Sequence, residues 1–182
     1  MRTSSWTAGA LLRLLLAGCL LATVSACNPG ERQSPVPRST RNREGLVDGH
    51  AGPVRLLHVQ ILAPPMDEQK AGDDLGLYLT LVNDSDQAQR LEGVSTAHAA
   101  RVVYRATPSA QRQAVAVPIP AGATLSMQQG QNRPHLELVD IVRPLGATPI
   151  DVTFRLTTGT TTLRVPVLPL SRGAEPPTPS PS

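Results

Sequence analysis

The chain has 182 residues, with 17 lysines and arginines against 14 aspartates and glutamates, two cysteines and four aromatic residues. This length suits one ordinary domain, and so few aromatic side chains argue against a base-stacking surface for single-stranded nucleic acid. The net charge of +3 falls to +1 without residues 1–26, which hold two arginines and no acidic residue, so bulk electrostatics predict no nucleic-acid partner.

Residues 1–26 have the features of a lipoprotein signal peptide. Arg2 and Arg13 form a basic start, residues 14–22 are almost entirely apolar, and small residues precede Cys27. Only 13 residues separate Arg13 from Cys27, whereas a membrane-spanning helix needs about 20. The segment therefore predicts export rather than a permanent transmembrane helix.

Cys27 is the predicted attachment point for lipid. Small residues just before a cysteine resemble the bacterial lipobox, in which that cysteine is acylated and becomes the first residue of the mature protein. Cys19 is the less favoured candidate, because apolar residues follow it, whereas polar residues follow Cys27. Simple secretion, with a free thiol on Cys27, is the remaining alternative. Acylation places the chain at the extracytoplasmic face of the cell membrane and leaves the domain without a thiol for a disulfide.

Both ends of the mature chain have the composition of disordered segments. Residues 27–53 are polar and rich in proline, serine, arginine and glycine, which predicts a disordered tether. Residues 170–182 form a tail rich in proline and serine, with too little apolar surface to offset the entropy of ordering. The predicted folded domain is therefore residues 54–169.

Within that domain the hydrophobic period is two. Leu75, Leu77, Leu79 and Leu81 alternate with more polar neighbours, as half-buried strands do. Nine short strands are predicted, at 54–62, 75–83, 88–94, 100–105, 113–119, 123–128, 134–141, 149–157 and 160–168. Because no window supports a substantial helix outside the signal peptide, the fold class is all-β, an antiparallel sandwich or barrel. Pro166 cannot donate to a ladder, so it predicts a sheet edge or a bulge in the last strand.

Four segments together carry a family resemblance. They are Leu-Tyr-Leu-Thr-Leu-Val-Asn-Asp at 77–84, Arg-Leu-Glu-Gly-Val-Ser-Thr at 90–96, Ile-Pro-Ala-Gly-Ala-Thr-Leu at 119–125 and His-Leu-Glu-Leu at 135–138. In this order and spacing they resemble the PCu(A)C family of extracytoplasmic copper chaperones, and most of all its lipid-anchored actinobacterial members. The resemblance implies a cupredoxin-like β-sandwich without a blue-copper centre. It also implies binding of Cu(I) and its transfer toward the copper centre of cytochrome oxidase.

The copper motif of that family is only partly present. It reads His, ten residues, Met, twenty-one residues, His, one residue, Met, and soft ligands of this kind suit Cu(I). His135 matches the second histidine, but Glu137 replaces the following methionine. Tyr104 aligns with the first histidine, and the first methionine falls in the loop at 111–113, which has none. His135 and Glu137 are nevertheless expected on one face of a strand, where they form the predicted metal site.

Three other side chains are candidate substitute ligands. His98 lies in a turn before the strand that carries Tyr104, and Met66 follows two prolines in a loop, a position that is compatible with an exposed thioether. Met127 alternates with Leu125, which favours a place in the core over a place in the site.

The sequence contains no pattern that specifies catalysis, so the protein is predicted not to be an enzyme. Two functions remain open. The first is a membrane-anchored copper-handling protein with altered or weakened copper binding, whose partners are a respiratory copper enzyme or its assembly factors. The second is a non-metal lipoprotein that keeps the sandwich as an interaction module at the cell surface.

Overall fold

The computed structural model describes residues 40–41, 45–130 and 132–170. The predicted signal peptide, Cys19, Cys27 and nearly all of the predicted tail therefore lie outside the described residues. The strands are β1 (Thr40–Arg41), β2 (Val47–Ala51), β3 (Val54–Ala63), β4 (Leu75–Asn83), β5 (Gln89–Ser95), β6 (Ala99–Arg105), β7 (Val117–Ile119), β8 (Thr124–Met127), β9 (His135–Ile141), β10 (Ile150–Leu156), β11 (Gly159–Val165) and β12 (Val167–Pro169).

These strands form two sheets that pack as a β-sandwich. The larger sheet has the order β1-β2-β3-β4-β9-β6, with β12 also pairing with β3 and β8 with β4. The smaller sheet has the order β11-β10-β5-β7. Every pairing is antiparallel except that of β12 with β3, so the prediction of an all-β, antiparallel sandwich is confirmed.

Each of the nine predicted strands is present, and the last is divided at Pro166. The prolyl nitrogen carries no hydrogen, so the ladder of β11 ends before it. The Pro166 carbonyl instead accepts a hydrogen bond from the Ile61 amide at 3.0 Å. The chain thereby leaves the smaller sheet at β11 and enters the larger one as β12.

The period of two places the aliphatic core between the sheets. In β4 all four alternating leucines predicted to face inward are buried, and Ile150, Val152, Phe154 and Leu156 do the same in β10. Phe154 is the largest fully buried side chain of the described residues, and the rest of the core is almost wholly leucine, valine and isoleucine. The core is aliphatic, in keeping with the scarcity of aromatic residues.

The predicted boundary between tether and domain at residue 53 is wrong. β2 lies within the supposed tether, pairs with β3, and buries Val47 and Ala51. Gly49 lies directly against the Leu163 side chain, where a Cβ atom would collide with it. The sequence of β2 has two apolar residues around a polar centre and therefore no local strand signal. Its strand conformation is specified by pairing with β3, which is a tertiary contact.

The region of interest for function is the outer face of β4, β9 and β6. β9 lies between the other two, and its register places Glu137 opposite both Gly76 and Val103, and His135 opposite Arg105. β6 is the last strand of the larger sheet. Among the described residues no helix has the length and apolar character needed to cross a membrane.

Candidate functional site

His135 and Glu137 lie on the outer face of β9, because their neighbours Leu136 and Leu138 are buried in the core. Both outer side chains are half-buried. The antiparallel register brings Arg105 of β6 to one side of them and Tyr78 of β4 to the other. The two candidate ligands thus lie on one face of the sheet, where Tyr78 contacts His135 and Arg105 binds Glu137.

The Glu137 carboxylate is held by two guanidinium groups. Nη1 of Arg105 donates to both carboxylate oxygens at 3.2 and 3.3 Å, and Nε of Arg112 donates to Oε2 at 2.8 Å. Only 13% of the Glu137 side chain is exposed, against 19% for Arg105. The carboxylate is therefore both shielded from water and neutralised by two cations.

Arg112 extends this network to a second carboxylate. Its Nη2 donates to Asp74, just before β4, whose other oxygen accepts a hydrogen bond from the Asp140 amide at 3.0 Å. Hydrogen bonds to Glu137, and then to Asp74, raise the pKa of the Arg112 guanidinium above its already high ordinary value. Two positive and two negative side chains, counting Arg105, thus form one neutral group. We call these four residues the ion-pair cluster.

Arg112 reaches the cluster because of a single β-bridge. The backbone of Gln113 exchanges two hydrogen bonds with that of Tyr104, at 2.8 and 2.9 Å. This bridge lays the loop that follows β6 along the edge of that strand. Val103, on the outer face of β6, is buried and lines a recess together with Arg112 and Gln113 of this loop.

Tyr78 and His135 form the other half of the site. Their ring centroids lie 5.9 Å apart with an interplanar angle of 26°. The Tyr78 ring lies over Gly76, where a Cβ atom would stand only 2.5 Å from the phenol oxygen. Burial, and then the nearby Glu137 charge, raise the pKa of Tyr78. Glycine at position 76 therefore makes room for the ring that packs on His135.

The residues at the motif positions do not fit a Cu(I) site. Tyr104 packs against the core, so the side chain that flanks His135 from β6 is the guanidinium of Arg105. Arg112 comes from the loop where the first methionine would fall, and Glu137 stands at the second. Cu(I) prefers thioether, thiolate and imidazole ligands, of which His135 alone is present.

The three substitute candidates do not join His135. Ala99 pairs with Ile141 and Arg105 with His135, so His98 lies just beyond the far end of β6, about 23 Å from His135 at about 3.3 Å per residue. Met127 is buried in the core beside Leu79, on the opposite face of the sheet.

Met66 is exposed, and its methyl group lies beside Gly146. Among the described residues, no three His, Cys, Asp or Glu side chains converge as a potential metal site.

Four residues of the site were not singled out from the sequence: Asp74, Tyr78, Arg105 and Arg112. Alternation could have placed Tyr78 and Arg105 on outer faces, and their partners depend on strand register. Arg112 carries no periodic signal, since it lies in a loop.

Comparison with solved structures supports a PCuAC-type domain. The copper-bound PCuAC domain from PmoF2 matches with a TM-score of 0.55 and 25% identity, covering 68% of this chain and 98% of that one. Apo-DR1885 from Deinococcus radiodurans matches with a TM-score of 0.51 and 25% identity, over 85% of this chain and 99% of that one. The apo PCuAC domain from PmoF1, at 15% identity and a TM-score of 0.57, covers 68% and 99% and shows the same fold.

No curated protein sequence matches the chain. The family model described as "Putative lipoprotein LpqE-like" matches residues 54–167, which is nearly the whole of the sandwich. With its two sheets and its structural relatives, the chain has a PCuAC-type, copper-chaperone-like domain and belongs to the LpqE-like family.

Proposed function

We propose that this protein is a non-catalytic extracytoplasmic lipoprotein, anchored in the cell membrane through Cys27, whose copper-chaperone-like domain has weakened copper binding or delivery. The observation that carries the proposal is the pairing of the Glu137 carboxylate with two arginines. It stands at the position of the last methionine of the copper motif, and Arg105 and Arg112 bind its carboxylate.

The ion-pair cluster opposes a bound copper ion in two ways. Three hydrogen bonds from Arg105 and Arg112 occupy most of the acceptor capacity of the Glu137 carboxylate, so a metal ion must compete with the two guanidinium groups for it. Any ion that reached the carboxylate would also lie a few ångström from the positive charges of Arg105 and Arg112, and like charges repel strongly where solvent is partly excluded. The single imidazole of His135 cannot offset both the competition for the carboxylate and the repulsion by the two arginines.

Titration of the full-length chain in detergent with Cu(I), under a competing chelator, tests this proposal. The wild-type chain should show no binding tighter than micromolar. The double variant Arg112→Met/Glu137→Met introduces one thioether in the loop at 111–113 and one at position 137, and we expect at least about a tenfold gain in Cu(I) affinity, or 1.4 kcal/mol. Adding His135→Ala should remove the gain. Tight binding by the wild type that persists in His135→Ala would contradict the proposed weakening and its location.

The proposed anchor rests on the sequence before the domain. A basic start, a short apolar run and small residues before Cys27 favour export and acylation over a spanning helix. A stable lipid anchor normally requires two acyl chains, which lipobox chemistry supplies. Cys27→Ser should shift the protein from the membrane fraction to the soluble fraction and abolish labelling with a fatty-acid analogue. Cys19→Ser is the matched control and should leave both unchanged; the reverse result would assign the lipid to Cys19.

Under this proposal the partners are a respiratory copper enzyme or its assembly factors, as the relationship to copper chaperones implies. A domain with weakened copper binding would act on them by contact more than by metal transfer. Loss of the protein should then alter assembly of the copper enzyme even when copper is supplied in excess.

A second candidate function is a non-metal interaction module at the cell surface. The neutral ion-pair cluster favours it, because the two arginines and two carboxylates neutralise one another without a bound ion. Copper titration and partner capture separate the two candidates, since stoichiometric copper binding together with no protein partner would remove the second.

A further inference from the structure

A recess lies where the turn before β6 meets the loop between β9 and β10. Its volume is about 240 Å³, and its lining includes His98 from the turn, Arg143, Leu145 and Thr148 from the loop, and Ile150 at the start of β10. Pockets that hold drug-sized ligands measure about 300–1,000 Å³, so this recess suits a smaller molecule. None of the four residues of the ion-pair cluster lines it, and it is therefore separate from the position of the copper motif.

Hydrogen bonds between the surrounding segments hold the walls of the recess in place. The Val142 amide donates to the His98 carbonyl at 3.0 Å. The Thr96 hydroxyl accepts from the His98 amide at 3.3 Å and donates to the Asp151 carbonyl at 2.8 Å. The turn before β6 is thereby tied both to the end of β9 and to the start of β10. A site whose walls are already fixed loses little entropy when a ligand binds.

The floor of the recess is apolar. Leu145 and Ile150 are buried members of the core, and Pro144 and Pro149 also belong to the lining. The position of Leu145 is fixed by its backbone amide, which donates to the side-chain oxygen of Gln69 at 2.9 Å. A short alkyl group placed against this floor would be removed from water, and that burial is favourable.

Three polar side chains in the lining are free to bind a ligand. Within the described part of the chain, the His98 imidazole, the Arg143 guanidinium and the Thr148 hydroxyl form no hydrogen bond or ion pair. All three can donate a hydrogen bond, and the guanidinium carries a permanent positive charge. The acidic residues closest in sequence, Asp140 and Asp151, are not part of the lining. The recess therefore favours an anion, and a planar guanidinium can bind a carboxylate through two parallel hydrogen bonds.

We propose that the recess is a binding site for a small aliphatic carboxylate. Arg143 binds the carboxylate, and His98 and Thr148 donate hydrogen bonds to its oxygens. The alkyl group lies against Leu145 and Ile150. The charge of the lining excludes an amine of similar shape, and the apolar floor makes an aliphatic acid a better ligand than inorganic phosphate. This site goes beyond the proposed function, because its ligand is independent of copper.

Titration of the full-length chain in detergent with isovalerate, followed through the amide signals of the NMR spectrum, tests the site. The amide signals of His98, Leu145 and Thr148 should shift saturably, with a Kd of about 1 mM or tighter, which a ligand of this size can reach. Isobutylamine, which has the same alkyl group and the opposite charge, should give no saturable shift. Inorganic phosphate should bind at least about tenfold more weakly than isovalerate.

Arg143→Gln should weaken isovalerate binding at least about tenfold, because it removes the charge-assisted hydrogen bonds to the carboxylate. Arg143 is exposed, so this variant should fold as the wild type does. Arg90→Gln is the matched control. Arg90 is also exposed but lies near the start of β5, whereas the turn that carries His98 follows the end of that strand. The control should leave isovalerate binding unchanged.

No saturable shift with isovalerate, or binding that is unaffected by Arg143→Gln, would overturn the proposed site. Equal binding of isobutylamine would overturn the selection by charge, and equal binding of phosphate would overturn the role of the apolar floor. Glu137→Gln should leave isovalerate binding unchanged; a loss in that variant would assign the acid to the ion-pair cluster instead of the recess. Because copper titration and isovalerate titration are separate measurements, failure of this site is distinguishable from failure of the copper proposal.

Discussion

Replacing Glu137 by glutamine should lower the free energy of unfolding by about 2 kcal/mol. The substitution keeps the shape of the side chain and removes the charge that Arg105 binds through both carboxylate oxygens. A hydrogen bond to a charged group contributes about 1.5–3 kcal/mol, and breaking a fully buried pair costs about 3–5 kcal/mol. Because 13% and 19% of the two side chains remain exposed, the expected loss lies toward the lower of these ranges.

Glu92→Gln is the matched control within the same chain. Glu92 also faces an arginine, Arg155, but at 3.7 Å and with 41% and 65% of the two side chains exposed. Exposed pairs of this kind contribute little, so this variant should stay within about 0.5 kcal/mol of the wild type. Urea unfolding followed by far-ultraviolet circular dichroism measures both. Equal losses in the two variants would refute the claim that the ion-pair cluster is a buried, stabilising network.

Tyr78 should make stability depend on pH above about 10, because burial raises its pKa and the folded chain keeps a proton that the unfolded chain releases. The contribution of Tyr78 to the free energy of unfolding is complete below that pH and is lost as the pH rises further. The decrease in this free energy at alkaline pH, measured by urea unfolding, should therefore be smaller in Tyr78→Phe. Asn83→Asp should cost about 3 kcal/mol, because the buried amide donates to three backbone carbonyls that a carboxylate would repel; a loss under about 1 kcal/mol in urea unfolding would contradict this. Gly76→Ala should displace the Tyr78 ring and remove the ring-current shift on its stacked histidine, whereas Gly93→Ala, with 3.4 Å to its nearest neighbour, should preserve it in the NMR spectrum.

The strands that sequence reasoning located are those whose alternation is local. β4 and β10 each place a buried residue at every second position. Because only one face of each strand is buried, this pattern can be recognised in the sequence without knowing the neighbouring strands. β2 lacked the pattern, because glycine and polar residues occupy its centre and its pairing with β3 specifies its conformation. The error in the tether boundary follows directly from that difference.

The candidate site was predictable only in part for the same reason. The sequence places His135 and Glu137 on one face, since two residues separated by one share a face of any strand. It does not state which residues of other strands lie beside them. Arg105 became a partner of Glu137 through the register of β6 with β9, and Arg112 through the bridge from Gln113 to Tyr104.

The sequence by itself therefore determined an all-β domain with an aliphatic core, because these properties depend on residue identity and a period of two. The copper motif and its missing ligands were implied by the family resemblance. Only the tertiary structure decided which side chains surround His135 and Glu137. Strand register and loop placement bring together residues as distant in sequence as Asp74 and Arg112, or Met66 and Gly146. Such contacts depend on the packing of the whole sandwich, which no local pattern encodes.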